Sequence, residues 1–388
     1  MTNVLLLYEY FIPSVRLCGY EQLSYIAKSK QINFQHCEVS RITKEQIRNC
    51  DVVIMVRNSS YQAEVLAGVF KKANKYLVYV LDDDLLNVPL GLSSTWYFQL
   101  EEVKRSINKI MFLSDCLLSP SQRILDKYGD KFNRIGLIEE PSLPYECSKK
   151  EKSQKVKIGF AGSIDRCKDI DILLTDVIET ILERYKERVS FEFFGVKPKV
   201  IESMGLTYYP YEDNYEEYKK KMWELNWHIG LAPMPDSDFH QYKHYNKYIE
   251  YSSLEIIGIY SNVYPYTEVI KDGVNGFLCD NNKAAWVKTI SYCIDEYDKL
   301  VSMLQNIRNQ AVDKFSIEKT AEIYIRAVPQ ILDYHSDKNK LCIQSYYLKY
   351  LQINIFIKKS FLFVKRNRSK SLIKLFTKLR DYINCEDV

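Results

Sequence analysis

The chain has 388 residues, enough for two domains with sizeable cores, and its 46% apolar content excludes a disordered protein. Five histidines and ten scattered cysteines without a C-x-x-C pair exclude a zinc framework, and no run of about eighteen apolar residues marks a membrane-spanning helix. The net charge of +4 hides an asymmetry: residues 338–380 carry +12 with no acid, the last eight residues −3, and residues 1–337 −5.

Residues 4–7 form a buried strand candidate, followed by a loop with Pro13, Ser14, Arg16 and Gly19 and a helix pattern over 21–27. A second buried strand spans 52–56 and ends at Arg57 and Asn58; an amphipathic helix covers about 61–73. The strand at 77–81 ends in Asp82, Asp83 and Asp84, and 110–113 and 116–118 bracket further strand and turn material. Strands alternating with helical patterns predict a parallel sheet with helices on both faces. No G-x-G-x-x-G occurs, which argues against a dinucleotide oxidoreductase.

Residues 139–155 are polar, Pro-bearing and aperiodic, the signature of an interdomain linker. The pattern then restarts. A strand at 156–160 leads into the loop 161–168 and a helix over 170–184. A strand at 189–194, a helix near 214–225 and a strand at 228–232 follow. Residues 286–304 and 317–332 each predict one long helix.

Between them lies the densest stretch, 239–278: a polar loop, a short helix, a strand at 256–260 and a Gly-bounded turn. Lys243, Lys247 and Glu250 are spaced four and three apart, which places them on one face of a helix. Two lysines suit a diphosphate and a carboxylate suits a ribose diol; a solvated face with an internal Glu–Lys pair is the plain alternative.

This stretch resembles the donor-binding segment of GT-B glycosyltransferases of the retaining family 4 type. Lys243, Lys247, Glu250, Tyr251, Ser261, Pro265, Tyr266, Gly273, Asn275, Gly276 and Leu278 fall in its register without a gap. His244, Glu255 and Ile257 depart from the usual Ser, Gly and Pro, and Tyr242 stands where the first of two glutamates is usual. The loop 161–168 is similar to the first donor-domain loop of the same enzymes. Gly162 and Lys168 match, Ser163 replaces an Arg for which Arg166 is the nearest substitute, and Asp169 replaces a Gly.

The resemblance implies an α/β protein of two Rossmann-like domains facing a cleft, the GT-B architecture. Residues 1–145 would form the acceptor-side domain and 155–318 the nucleotide-sugar domain. Residues 319–337 would form a helix returning to the first domain, ahead of a basic, aromatic, helical tail at 338–388. It implies transfer of a sugar from a nucleotide diphosphate donor to a surface-glycan or lipid-linked acceptor, with retention and without a metal cofactor. The candidate catalytic residues are Arg166, Lys168 and Asp83. Gly162, Ser163, Lys243, Lys247, Glu250, Ser261, Pro265 and Tyr266 are the candidate donor-binding residues. Arg16, Arg57, Asp82 and Asp84 are assigned to the acceptor side. Asp82-x-Asp84 also matches the paired carboxylates that bridge a divalent metal to the donor in GT-A enzymes, a competing use. Tyr242, Ser163 and Glu255 leave open a catalytically inactive scaffold of the same fold, binding a glycan or a partner.

The tail mixes Phe, Ile, Leu and Tyr with Lys and Arg, the composition of helices that lie on anionic membranes. A homo-oligomer contact is the rival, and the apolar density disfavours a nucleic-acid arm. With scattered thiols and no apolar leader, the expected location is the cytoplasm, peripheral at the inner face of the membrane.

Overall fold

The computed structural model describes residues 1–90, 96–143 and 155–337. The expectations for the tail at 338–388, and for most of the linker, lie outside the described residues.

Six parallel strands form the first sheet: β1 (Thr2–Tyr8), β2 (Ile32–Glu38), β3 (Val52–Val56), β4 (Tyr76–Val80), β5 (Cys116–Ser119) and β6 (Arg134–Leu137), in the order β2-β1-β3-β4-β5-β6. Its helices are α1 (Pro13–Val15), α2 (Glu21–Lys28), α3 (Lys44–Asn49), α4 (Tyr61–Lys72), α5 (Glu101–Leu113) and α6 (Gln122–Tyr128). β3 is buried along its whole length, as a central strand covered by helices on both faces must be. Leu5, Val53 and Leu77 pack with Leu66, Phe70 and Ile107 on one face. Val4, Leu6, Val52 and Val78 pack with Leu23 and Ile26 on the other.

The second sheet holds β7 (Val156–Ala161), β8 (Val189–Phe194), β9 (Thr207–Tyr209), β10 (Ile229–Ala232), β11 (Ile257–Ser261) and β12 (Phe277–Cys279), ordered β12-β11-β10-β7-β8-β9 and again parallel. Around it lie α7 (Cys167–Tyr185), α8 (Lys199–Met204), α9 (Tyr215–Leu225), α10 (Asn246–Ser253), α11 (Tyr266–Val269), α12 (Lys283–Asp295) and α13 (Tyr297–Phe315). Read outward from β7, this is the strand order of a doubly wound nucleotide-binding sheet.

α14 (Ile317–Ala327) and α15 (Gln330–Asp333) return to the first domain. Arg134 on β6 donates to the carbonyls of Ala327 and Arg326, and Ala321, Tyr324 and Ile331 join the core over β1 and β3. No described helix is long and apolar enough to cross a membrane.

The elements differ from expectation in three ways. Residues 110–113 end α5 rather than forming a strand; Val103, Ser106, Ile107, Ile110 and Met111 make the buried stripe of an amphipathic helix. The helix predicted over 286–304 is two helices broken at Glu296, and the one over 317–332 breaks at Val328–Pro329. Pro329 removes a backbone donor and disfavours helical backbone at the residue before it.

Candidate active site

Each sheet reverses its order of growth once, between β1 and β3 and between β7 and β10, and ligands of open α/β sheets bind beyond such points. A cavity of ≈ 230 Å³ lies there, between the two domains. The first domain contributes Ser14 from the segment after β1 and Asp82 and Asp83 from the end of β4. The second contributes Phe160, Ala161, Gly162 and Arg166 from β7 and its loop, and Ala232, Pro233 and Met234 from β10. Lys243, His244, Asn246, Lys247 and Tyr266 complete the wall.

A chain of charges crosses the cleft. Arg57, the residue after β3, holds a φ of 53°, strained for a side chain of its size. It donates to Asp82 Oδ1 at 2.5 Å and to Asp83 Oδ2 at 3.3 Å. From the other domain Lys243 Nζ donates to Asp83 Oδ1 at 2.9 Å. Burial alone would raise the Asp83 pKa, but Lys243 and then Arg57 outweigh it and hold the carboxyl well below the usual range. Burial would likewise lower Arg57, and Asp82 and Asp83 reverse that.

The donor-side candidates separate into several settings. Arg166 lines the cavity, donating to the Pro233 carbonyl at 2.5 Å and pairing with Asp169 at 3.1 Å. Lys168 and Ser163 are exposed and lie outside the lining, while Gly162 is in it. An added Cβ at Gly162 would meet the Phe160 ring at 2.8 Å. Lys247 lines the cavity and donates to Glu250 Oε2 at 2.5 Å; Tyr218 donates to Glu250 Oε1 at 2.5 Å.

Lys243 does not share their helical face. It ends the short turn His240–Tyr242 with extended backbone, and α10 begins only at Asn246. The spacing is helical, but the chain reaches across the cleft before it coils. Ser261 is buried and accepts from the Met234 amide and donates to Asn281, so it ties β11 to its neighbours. Pro265 precedes α11, and Tyr266, buried against Tyr260, lines the cavity.

Among the acceptor-side candidates only Asp82 is in the lining. Asp84 accepts from the Tyr128 hydroxyl at 2.6 Å, from Lys127 at 2.7 Å and from Asn87, all within the first domain. Asp82 and Asp84 therefore serve different partners, and among the described residues no group of three or more His, Cys, Asp or Glu is arranged around a metal position. Arg16 pairs with Glu21 and, across the cleft, with Glu216, each at 2.5 Å. Tyr242 lies half-buried with Lys127 Nζ 4.2 Å over its ring, not in the cavity wall.

Three residues between the domains, of which His244 lines the cavity and the other two lie behind it, carry chemistry that the sequence reading passed over. Glu139 and Glu140, read as the start of a polar linker, are buried one residue beyond β6. His244, read as a mere departure from Ser, sits against both: Nε2 is 3.6 Å from Glu139 and Nδ1 3.9 Å from Glu140. Nδ1 also lies 2.6 Å from Asn246 Oδ1. Tyr245 donates to Glu139 at 2.9 Å and Cys18 to Glu140 at 3.3 Å. Burial pushes Glu140 up to about 7, with Asp82 adding to it and His244 opposing. Burial works against the charged form of His244 too, yet the two carboxylates raise its pKa above the ordinary value. Two adjacent acids one residue beyond a strand were the available signal.

No protein-family model matches the chain, and no curated protein matches its sequence. Solved structures do match. HepE of Anabaena, in complex with UDP and glucose, is similar over 85% of this chain and 100% of its own, with a TM-score of 0.61 and 14% identity. A glycosyltransferase from Rickettsia africae is similar over 86% of this chain and 99% of its own, with a TM-score of 0.57 and 14% identity. A Listeria monocytogenes protein assigned as a UDP-N-acetylglucosamine 2-epimerase reaches a TM-score of 0.53 at 11% identity, over 88% of this chain and 99% of its own. The fold is GT-B. Likeness at this level of identity fixes the architecture, and the chemistry is argued from the site.

Proposed function

We propose that the chain is a nucleotide-sugar-dependent glycosyltransferase. The observation that carries this reading is the cavity at the two switch points, where Arg166, Lys243 and Lys247 converge from one domain and Asp82 and Asp83 from the other. The cations suit the diphosphate of a donor. They would stabilise the charge that develops as the bond from the sugar's anomeric carbon to the diphosphate breaks, usually the largest catalytic contribution. Glu250, fixed by Lys247 and Tyr218, would take the ribose hydroxyls. Lys168, one residue into α7, is assigned to the diphosphate with Arg166. Asp83 is the candidate acceptor-side base, although its pairing with Lys243 and Arg57 suits a carboxylate that stays ionised. HepE, whose structure holds UDP and glucose, supports the donor class.

The finer reading is a hexose-type donor, retention of configuration as in family 4, no metal requirement, and a surface-glycan or lipid-linked acceptor. The basic segment 338–380 would bring the enzyme to the inner face of an anionic membrane. The test begins with thermal stabilisation by UDP, GDP and ADP. A nucleotide at about a hundred times its Kd should stabilise the fold by about 2.7 kcal/mol. Turnover of the matching sugar nucleotide should then release that diphosphate, also in EDTA. Stabilisation by none of them would end the reading.

One observation favours a second reading, a catalytically inactive GT-B subunit that binds a glycan or partner. Each cation lining the cavity already pairs with a carboxylate: Arg166 with Asp169, Lys243 with Asp83, Lys247 with Glu250. Nucleotide binding without hydrolysis, epimerisation or transfer of the sugar would select it.

A further inference from the structure

The loop after β1 brings Tyr10, Phe11 and Ile12 to the surface, 59%, 43% and 39% exposed. Adjacent exposed apolar side chains of this size mark an interaction surface more often than chance exposure. Phe11 belongs to an aromatic group. Its ring centroid lies 5.3 Å from Tyr8, 5.1 Å from Tyr20 and 5.9 Å from His36, and Phe34 stacks 6.1 Å from His36. The Tyr8 hydroxyl lies 2.9 Å from His36 Nδ1 and fixes that ring. Partial burial lowers the His36 pKa from its ordinary value.

Beside this group, at the free edge of β2, opens a depression of ≈ 460 Å³. Gln35, His36, Thr43, Gln46 and Asn49 line it, with Glu45 its one charged side chain. His36, the one ring shared by the aromatic group and the depression, stands beside amides and a hydroxyl, the chemistry that recognises sugar rings, whose C–H faces stack while their hydroxyls bond. Anionic lipid or nucleic-acid phosphate would instead call for a cluster of Lys and Arg, and the lining has none. Two residues beyond Ile12, Ser14 lines the interdomain cavity, so one segment joins the two surfaces.

We infer that this face of the first domain holds the acceptor as a neutral oligosaccharide. Its terminal sugar enters the cavity past Ser14, and the sugars behind it lie on Phe11 and along the edge of β2. The inference rests on the transferase reading and names its acceptor class.

The full chain is tested for binding to an array of neutral oligosaccharides, beside Phe11→Ala and Gln35→Ala. Stabilisation by UDP, GDP and ADP is measured in parallel, as is flotation with phosphatidylglycerol-containing vesicles. The expected result is binding to a subset of the oligosaccharides, weakened roughly tenfold or more in Phe11→Ala, as truncation of an aromatic anchor does. Gln35→Ala should weaken it less, and nucleotide stabilisation should be unchanged in both. A chain that binds nucleotide but no neutral oligosaccharide overturns the inference and leaves the transferase reading standing. Oligosaccharide binding indifferent to both substitutions overturns it as well. So does a Phe11→Ala variant that loses vesicle flotation alone, because the loop is then a membrane contact. Failure to bind any nucleotide strikes the underlying reading instead.

Discussion

Lys247 and Glu250 lie one turn apart on α10, and their contact joins a cavity-lining cation to a carboxylate just behind it. If Glu250 holds the donor ribose as proposed, replacing it with Ala removes charged hydrogen bonds, each worth roughly 1.5–3 kcal/mol. The variant should stay folded, because the Glu250 side chain is partly exposed at 23%. Its donor Kd should rise about ten- to a hundredfold by isothermal titration; an unchanged value would remove Glu250 from the site. Glu140 makes a different prediction. Its carboxyl is raised from 4.5 to about 7, so the folded state favours the protonated form. That contribution is complete below pH 4.5 and is lost as the pH rises to about 7, at most about 3 kcal/mol. His244, also raised, acts in the same direction, losing its contribution as pH climbs through its elevated value. Gln mimics the protonated carboxyl. Glu140→Gln should therefore gain Tm relative to the unaltered chain between about pH 5 and pH 8; parallel Tm curves would show that Glu140 does not titrate as placed. The two halves of this site differ in legibility. Lys247 and Glu250 were readable because a helix turns their spacing into a contact. Glu139 and Glu140 lie more than a hundred residues from His244 in sequence and meet it only because the two domains face each other.

The elements divide by burial in the same way. Strands buried on both faces, such as β3 and β10, read as short continuous apolar runs and were found within a residue. β2, β6 and β9 are half-exposed and carry Asn, Gln, Arg or Thr, so no continuous run marks them. β2 does alternate at Ile32, Phe34 and His36, which was the available signal. Inside the second sheet, aromatic rings from the flanking elements lie directly on glycines. An added Cβ at Gly159 on β7 would stand 1.9 Å from Trp227, and one at Gly230 on β10 would stand 2.6 Å from Tyr251. Both rings are fully buried, so neither can move aside without repacking. Gly159→Ala should cost about 1–3 kcal/mol or more in denaturant unfolding. Gly68, in the middle of α4, has open space where a Cβ would stand, with nothing within 4 Å, so Gly68→Ala should stabilise by roughly 0.5–1 kcal/mol. A tolerated Gly159→Ala would mean that Trp227 does not pack on β7 in this way.

At the scale of the whole molecule, the end of the described chain and the interdomain cavity lie at opposite ends of the first sheet. The last described residues fold back to the start of the central strands: Ser336 donates to Asp51 and accepts from Lys75, just ahead of β3 and β4. The cavity lies beyond the opposite ends of those strands, where Arg57 and Asp82 sit. The described chain thus ends, at Asp337, on the face away from the cleft, and residues 338–380 carry +12 against −5 for residues 1–337. Each cation near an anionic lipid surface contributes about 1 kcal/mol, and the attraction fades beyond a screening length of about 8 Å at physiological salt. A chain truncated after Asp337 should keep its Tm and its nucleotide affinity. It should lose flotation with phosphatidylglycerol vesicles, and the full chain should lose the same flotation as salt is raised. The competing view has the tail's aromatics pack against a second copy. It requires the truncated chain to aggregate or to change its oligomeric state in light scattering, while the full chain ignores the vesicles. That result would make the tail part of an assembly and would remove the membrane from the proposal.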